Sequence, residues 1–477
     1  MPRQRGILLY RNARILGIRN SDPLLDSSVN HSLDYYIAPG GRLQGRIVVP
    51  GDKSISHRAV MLGAIAQGRT EIEGLLEGED VLATVAAFRA MGVNITEPHK
   101  GQVHIDGVGL GGLRAPDGVL DMGNSGTAMR LLCGLLAGQV FSSELTGDNS
   151  LLRRPMARVA TPLNSMGAVI ECSEDNCPPL YIRGGQTLKG MEYSMPVASA
   201  QVKSAILLAG LYAQGRTTVI EPAPSRDHTE RMLRGLGYTV VQQPGIVSIE
   251  GGGCLQARSL QIPGDISSAA FFIVGAVISP GSDVMLVNTG VNPTRLGVIT
   301  ILKTMGANIS LEKERMIGGE PIADIHVKSS ELHGIKIPQE QVPLAIDEFP
   351  AILIAAACAD GETTLSGARE LRVKESDRIQ AMAKGLRVLG IDVQETPDGA
   401  VVQGRPSFPG RSTFSGGTIE SYDDHRIAMA FAVAGLCAND EIRINNCKNV
   451  DTSFPGFAEL AIRAGLLVSK TRKAGND

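Results

Sequence analysis

The chain has 477 residues, 43% hydrophobic, 20% charged and 4% aromatic, with a formal net charge of −3 and no tryptophan. It is longer than one ordinary domain and has the balance of a folded globular protein rather than a disordered or fibrous one. No basic tract or aromatic platform supports nucleic-acid binding, no apolar run approaches the roughly 18 residues of a membrane span, and seven scattered cysteines do not make a disulfide framework.

Residues 1–33 carry Arg3, Arg5, Arg11, Arg14 and Arg19, no acid before Asp22 and no continuous apolar signal core; they are read as a disordered extension. The first strand-like segment is Gly45-Arg46-Ile47-Val48-Val49. From Gly51 onward one pattern recurs six times. A polar turn feeds an Ala/Leu-rich helix, a short strand and a second amphipathic helix follow, and the unit closes like Met91-Gly92-Val93-Asn94-Ile95. The closing glycines, Gly92, Gly167, Gly237, Gly306, Gly390 and Gly465, lie 75, 70, 69, 84 and 75 residues apart. Each suits the left-handed position that ends a helix, and the residues after it suit a strand. Six such units divide into two sets of three.

The first opening, Gly51-Asp52-Lys53-Ser54-Ile55-Ser56-His57-Arg58, is a glycine turn entering a helix with Lys, Ser and Arg at its start. It reads either as an anion site on free backbone N–H groups or as a capped helix with solvated charges; the glycine spacing of a Walker A loop is absent. The second, Gly123-Asn124-Ser125-Gly126-Thr127, puts small residues where backbone can approach a ligand, and Arg153-Arg154 precede Pro155, which suits a first helical turn. The third supplies Ser199-Ala200-Gln201-Val202-Lys203 and then Arg226-Asp227-His228, groups suited to the hydroxyls and phosphate of a sugar-like ligand. His228 has no second His or Cys at ligand spacing and is read as a structural hydrogen-bonding residue.

The fourth helix, from Gly264, contains the apolar run Ala269–Ile278, broken by Ser279-Pro280-Gly281. The fifth unit carries Asp347-Glu348 and Leu371-Arg372-Val373-Lys374-Glu375-Ser376-Asp377-Arg378, and the sixth Asp423-Asp424-His425-Arg426. Lys374 and Arg378, at i and i+4, are expected on one helical face with Glu375 one step round. Acids among Lys and Arg are proton-transfer groups in an anion-binding cleft, or else helix-surface ion pairs. The helices are too apolar to face solvent, so their polar N-termini should present a common surface. Cys133, Cys358 and Cys437 sit in apolar stretches and are read as core; a reducing cytoplasm fits this cysteine usage.

In order, the segments GDKSISHR, GNSGTAMR, RRP, SAQVK, RDHTE, GDISSAAFF, NPTR, IDEFP, ELRVKESDR, YDDHRIAMA and TSFP closely resemble the 5-enolpyruvylshikimate-3-phosphate synthase (3-phosphoshikimate 1-carboxyvinyltransferase) family, over roughly residues 34 to 470. The resemblance implies an α/β (α+β) fold of two similar domains, each a pseudo-threefold assembly of βαβαββ units, with residues 34–49 plus 267–477 forming one and 50–266 the other. It implies transfer of the enolpyruvyl group of phosphoenolpyruvate to the 5-hydroxyl of shikimate 3-phosphate with release of phosphate, by a monomer, without metal or organic cofactor.

Carried over residue by residue, Lys53, Ser54, Arg58, Ser199, Ala200, Gln201, Asp347 and Lys374 would hold shikimate 3-phosphate, and Lys53, Gly126, Arg154, Gln201, Arg378 and Arg426 would hold phosphoenolpyruvate. Asp347 would be the base; Glu375 would exchange protons at C3, with Lys53 as the competing acid. Glu370 and Thr452 depart from the better-known branch, which has Asn and Lys there, so those contacts are not carried over. The combination GDKS, SAQVK, RDHTE and NPTR looks like the class II branch and implies reduced glyphosate sensitivity, although Gly126 lacks the alanine methyl of some tolerant members. The alternatives are UDP-N-acetylglucosamine enolpyruvyl transferase, whose opening reads like GAKN, and a non-catalytic ligand-binding paralogue.

Overall fold

The computed structural model describes residues 32–173, 175–406 and 412–473. Among them the helices fall into six pairs. They are α1 (Lys53–Ala64) with α2 (Glu79–Ala90), α3 (Gly126–Ala137) with α4 (Ala157–Ser165), α5 (Ala200–Gly210) with α6 (His228–Gly235), α7 (Ile266–Ile278) with α8 (Gly297–Thr304), α9 (Phe349–Ala357) with α10 (Arg378–Val388), and α11 (His425–Ala434) with α13 (Phe457–Ala464), the last preceded by the single turn α12 (Val450–Ser453). The first helix of each pair is the more buried one; α7 and α9 are buried along their whole lengths.

Each pair carries a small sheet of its own. In the second unit the spatial order is Leu120–Asp121, Ser143–Thr146, Leu180–Ile182, Ile170–Glu171; the first two strands are parallel and the others antiparallel, which is the βαβαββ arrangement. The third unit repeats it. Three units borrow a strand from far along the chain. Ser259–Gln261 completes the first, Gln44–Ile47 the fourth, and Ser32–Gly41 the sixth, where it lies between Ile442–Asn445 and Leu466–Lys473. The fifth sheet has three strands, its parallel edge reduced to bridges at His333 and Lys336.

All six closing glycines have φ between +83° and +116°, the left-handed conformation that stops each second helix and turns the chain into its strand. Two hydrophobic cores result. One, the outer in chain order, joins Leu33–Val49 to Ile266–Val468, and the other, the inner, runs from Ile55 to Ile262. The two crossings between them run side by side: Gly51 and Gly264 form an antiparallel bridge, with Asp52 N donating to Pro263 O at 2.8 Å and Asp265 N to Pro50 O at 2.9 Å.

Three local expectations change. A strand at Ser32–Gly41 precedes the segment expected to be first, because Leu33, Tyr35 and Ile37 alternate inward onto the core; it begins inside the stretch read as an extension, whose residues 1–31 lie outside the described residues. Lys374 and Glu375 are not on a helix with Arg378. A 3-10 turn, Arg369–Val373, ends at an extended Lys374, and α10 starts at Arg378 because the Asp377 side chain caps it, accepting from Gln380 N at 3.0 Å. Pro155 stands two residues ahead of α4 rather than in its first turn.

Candidate active site

The N-termini of the buried helices open on one cavity of about 90 Å³ between the two cores. Lys53 and Ser54 reach it from α1, Gly126 and Thr127 from α3, Gln201 from α5, Ser267 from α7, Asp347 from the turn before α9, and His425 and Arg426 from α11. The local sequence explains the convergence. Asp52, Ser125, Ser199, Asp265 and Asp424 are N-caps whose side chains each accept a backbone N–H of their own helix's first turn, which fixes where each helix begins at the cavity.

Nine Lys and Arg side chains line this space against five carboxylates, in a chain whose net charge is negative. The excess of positive charge is therefore local, and it suits polyanionic ligands. Asp347 sits among the cations. Its Oδ1 lies 3.3 Å from Lys374 Nζ and 3.4 Å from Arg378 Nη1, Oδ2 pairs with Arg226, and its carbonyl accepts from Arg426 Nη1 at 2.9 Å. Burial pushes the Asp347 carboxyl up, but Lys374, Arg226, Arg426 and Arg378 outweigh it and hold it well below the usual carboxylate range.

Glu375 is held ionised in the same way. Burial raises its pKa, but Arg378 and Arg154 outweigh that and hold it well below the usual carboxylate range, through contacts of 2.6 Å to Arg378 Nη2 and 3.5 Å to Arg154 Nη1. Arg378 is fixed from behind by Asp424 at 2.8 Å, and Arg154 by Asn124 Oδ1 at 2.7 Å. Lys53 Nζ donates to Asp80 and to Ser453 Oγ, both at 2.9 Å. Gln201 accepts from Arg130 at 2.9 Å and donates to Thr127 Oγ1 at 2.9 Å. Burial pushes the His425 imidazole down to about 3, with Lys53 adding to the effect, so this histidine is neutral.

Of the residues singled out in sequence, Lys53, Ser54, Gly126, Arg154, Gln201, Asp347, Lys374, Glu375, Arg378 and Arg426 all line the cavity. Arg58, Ser199 and Ala200 do not. The Arg58 guanidinium is buried and spends its donors on Thr229 Oγ1 (2.7 Å), Ser54 O (2.8 Å) and Ser204 Oγ (2.7 Å), so it fixes the Lys53-Ser54 turn from beneath. Ser199 caps α5, accepting from Val202 N at 3.4 Å, and Ala200 is that helix's first residue. His228 is structural: it is buried, with Nδ1 2.8 Å from Glu320.

The residue-level reading gave no role to Arg130, Arg158 and Arg295, all of them lining residues, whereas Arg226, which it offered to a sugar-like ligand, lines the cavity as well. A signal existed for one: Arg130 lies four residues beyond Gly126, on the same side of α3. Ion pairs across the cleft, Arg226 to Asp347, Arg154 to Glu375 and Arg158 to Glu370, draw the two cores together. A wider cleft of about 860 Å³ adjoins on the side of Arg153, Tyr422 and Lys448. Among the described residues no helix is long and apolar enough to cross a membrane, and no group of three or more His, Cys, Asp or Glu is placed to hold a metal ion.

Two sets of three βαβαββ units, facing each other across a cationic cleft built on helix N-termini, define an enolpyruvyl-transferase-like α/β protein. A model of the family "EPSP synthase (3-phosphoshikimate 1-carboxyvinyltransferase)" matches residues 37–460, and the chain belongs to that family. The 3-phosphoshikimate 1-carboxyvinyltransferase of Alkalilimnicola ehrlichii is 60% identical over 438 residues, covering 92% of this chain and 97% of the relative. That of Methylococcus capsulatus is 61% identical over 428 residues, covering 90% and 96%. The structure of EPSP synthase from Acinetobacter baumannii superposes with a TM-score of 0.84 at 57% identity, covering 92% of this chain and all of that one.

Proposed function

We infer that the protein is a 3-phosphoshikimate 1-carboxyvinyltransferase of the shikimate pathway, transferring the enolpyruvyl group of phosphoenolpyruvate to the 5-hydroxyl of shikimate 3-phosphate and releasing phosphate. Family membership supports the activity, and one observation carries the mechanism: a partly buried, ionised carboxylate, Asp347, held among four cations where helix N-termini from both cores converge.

In this reading Lys53, Ser54, Gln201 and Lys374 bind shikimate 3-phosphate, with Arg58, Ser199 and Ala200 shaping the turns that present them. Lys53, Gly126, Arg154, Gln201, Arg378 and Arg426 hold phosphoenolpyruvate. Asp347 takes the proton of the 5-hydroxyl as its oxygen bonds to C2, and C3 gains a proton to complete a tetrahedral intermediate. C3 then returns a proton as the C2–O bond to phosphate breaks, restoring the double bond. Because Glu375 rests ionised, the Lys53 ammonium supplies the first proton and Glu375 accepts the one returned.

A carboxylate stabilised by four cations is a weak base. Substrate phosphate and carboxylate groups share those cations on binding, so the proton affinity of Asp347 rises when the reaction needs it. The two cores and their paired crossings support domains at 34–49 plus 267–477 and 50–266, able to close on substrate. Seven free cysteines support a reducing cytoplasm. The class II-like motif combination supports weak glyphosate inhibition, which inhibition kinetics against phosphoenolpyruvate would test; sensitivity in the ordinary range overturns it.

The deciding experiment follows phosphate release from phosphoenolpyruvate with shikimate 3-phosphate, alongside Asp347→Ala and a UDP-N-acetylglucosamine control. Release that requires shikimate 3-phosphate and collapses in the variant supports the reading. Release with the nucleotide sugar alone, or none with either acceptor, overturns it.

A further inference from the structure

The short turn Pro293–Arg295 stands beside the two crossings, and the mechanism above does not use it. Its arginine is almost fully buried and binds three acids that belong to three different helix starts. Arg295 Nη1 lies 3.1 Å from Asp52 Oδ2, and Nη2 lies 3.4 Å from Asp265 Oδ1 and 3.4 Å from Glu348 Oε1. Nη2 also donates to Ser267 Oγ at 2.6 Å, and Ser267 donates onward to Glu348.

These acids are the residues that set the reacting groups. Asp52 caps α1 and immediately precedes Lys53; Asp265 caps α7 and accepts from the Lys53 backbone N–H at 3.3 Å; Glu348 immediately follows Asp347. Asp52 belongs to the segment entering the inner core, whereas Asp265 and Glu348 start helices of the outer one. The same turn holds the inner core by a second link. Asn292 Nδ2 donates to Asp227 Oδ1 at 2.7 Å and to Glu320 Oε2 at 3.0 Å, and Glu320 meets His228.

We propose that Arg295 is a positioning residue for the enolpyruvyl transfer, a guanidinium pin across the crossings that fixes the separation of Lys53 and Asp347 through the Asp52, Asp265 and Glu348 side chains. A guanidinium presents its donors from separate nitrogens in a fixed plane and so spans acids that stand apart, whereas an ammonium gathers its donors on one compact nitrogen. The inference rests on the activity proposed above. Arg295 acts on the chemical step and leaves substrate affinity to the residues that touch substrate.

The test compares wild type with Arg295→Lys and Arg295→Met in the phosphate-release assay, with shikimate 3-phosphate binding by calorimetry as the check on folding. Arg295→Lys, which keeps the buried charge, is expected to bind shikimate 3-phosphate normally, to keep both KM values within about threefold and to lose at least about tenfold in kcat. In Arg295→Met the loss of a nearby cation raises the Asp347 pKa, so the acid limb of the kcat profile moves to higher pH, a shift that simple loss of folded protein does not produce. An unchanged kcat in Arg295→Lys overturns the proposal, as does a rise in KM alone, which would make Arg295 a substrate contact. A wild-type protein without turnover refutes the assigned activity instead, before either variant is considered.

Discussion

Replacing Gly126 by alanine adds one methyl at the floor of the cavity, and its cost can be worked from the neighbours. Gly126 is the first residue of α3 and has helical backbone, so alanine meets no conformational penalty and favours the helix slightly. The new Cβ would stand 2.8 Å from Arg130 Nη1 and 3.1 Å from Arg154 Nη1, closer than carbon and nitrogen tolerate. Both guanidinium ends can give way by a few tenths of an ångström, but each is held. Arg130 is bonded to Gln201 Oε1 at 2.9 Å, and Arg154 to Asn124 and Glu375. The methyl therefore displaces Arg154, assigned to phosphoenolpyruvate, and presses on Arg130, which holds Gln201, while Lys374 and Ser54 on the shikimate 3-phosphate side stay in place. Weakening one charge-assisted hydrogen bond costs about 1 to 2 kcal/mol, a rise of about five- to thirtyfold in the KM for phosphoenolpyruvate with little change in that for shikimate 3-phosphate. Steady-state phosphate release with each substrate varied in turn measures both constants. An unchanged KM for phosphoenolpyruvate, or an equal rise in both, would refute the assignment of Arg154 and the α3 terminus to that ligand.

Asp347→Asn is expected to lower kcat by at least about a hundredfold while shikimate 3-phosphate still binds, because the loss removes a proton acceptor and frees Lys374, Arg226 and Arg378 for the ligand; single-turnover kinetics and calorimetry separate the two effects. Glu370→Ala breaks a pair with Arg158 in which both partners are more than a third exposed, and should cost under about 1 kcal/mol in stability and less than about threefold in kcat. Arg378→Met strands Asp424 and Glu375 in the interior and should destabilise the fold by about 3 to 5 kcal/mol in urea unfolding. His57 and His425 are both buried with depressed pKa values, whereas in the unfolded chain they titrate near about 6.5. The unfolded state therefore takes up protons first as pH falls, and stability should decline by up to about 1.4 kcal/mol per pH unit for each histidine between about pH 6 and pH 4.5. Unfolding curves at three pH values read this slope, which His57→Asn should halve.

The sequence revealed the repeat but not its closure. Six glycines and six apolar helices announce the units, since helix stops and buried faces are local properties of the chain. The strands that complete the first and sixth units, Ser259–Gln261 and Ser32–Gly41, pair with partners remote in sequence, and neither is long or regular enough to declare its partner. In the site, the polar turns at helix starts were legible because capping residues and small residues leave a signature. The placement of Arg58 beneath the turn rather than within the cavity was not, because its partners Thr229 and Ser204 come from other units. Lys374 and Glu375 misled for a different reason. Their spacing from Arg378 fits a helix, yet the Asp377 cap starts α10 after them, and they meet Asp347 and Arg378 from the bend that joins the 3-10 turn to α10.

The borrowed strands also set an order of assembly. Once residue 261 has left the ribosome, the inner lobe possesses every strand of its three sheets and can fold. The outer lobe cannot, because Ser32–Gly41, made early, must wait for Leu466–Lys473. At ordinary translation speeds that wait, counted from completion of the inner lobe, is about 10 to 40 s. Through it the early strand has unsatisfied edges. The nascent chain is therefore most exposed to misassembly at its amino-terminal strand, and the finished inner lobe separates that strand from its partner until synthesis ends.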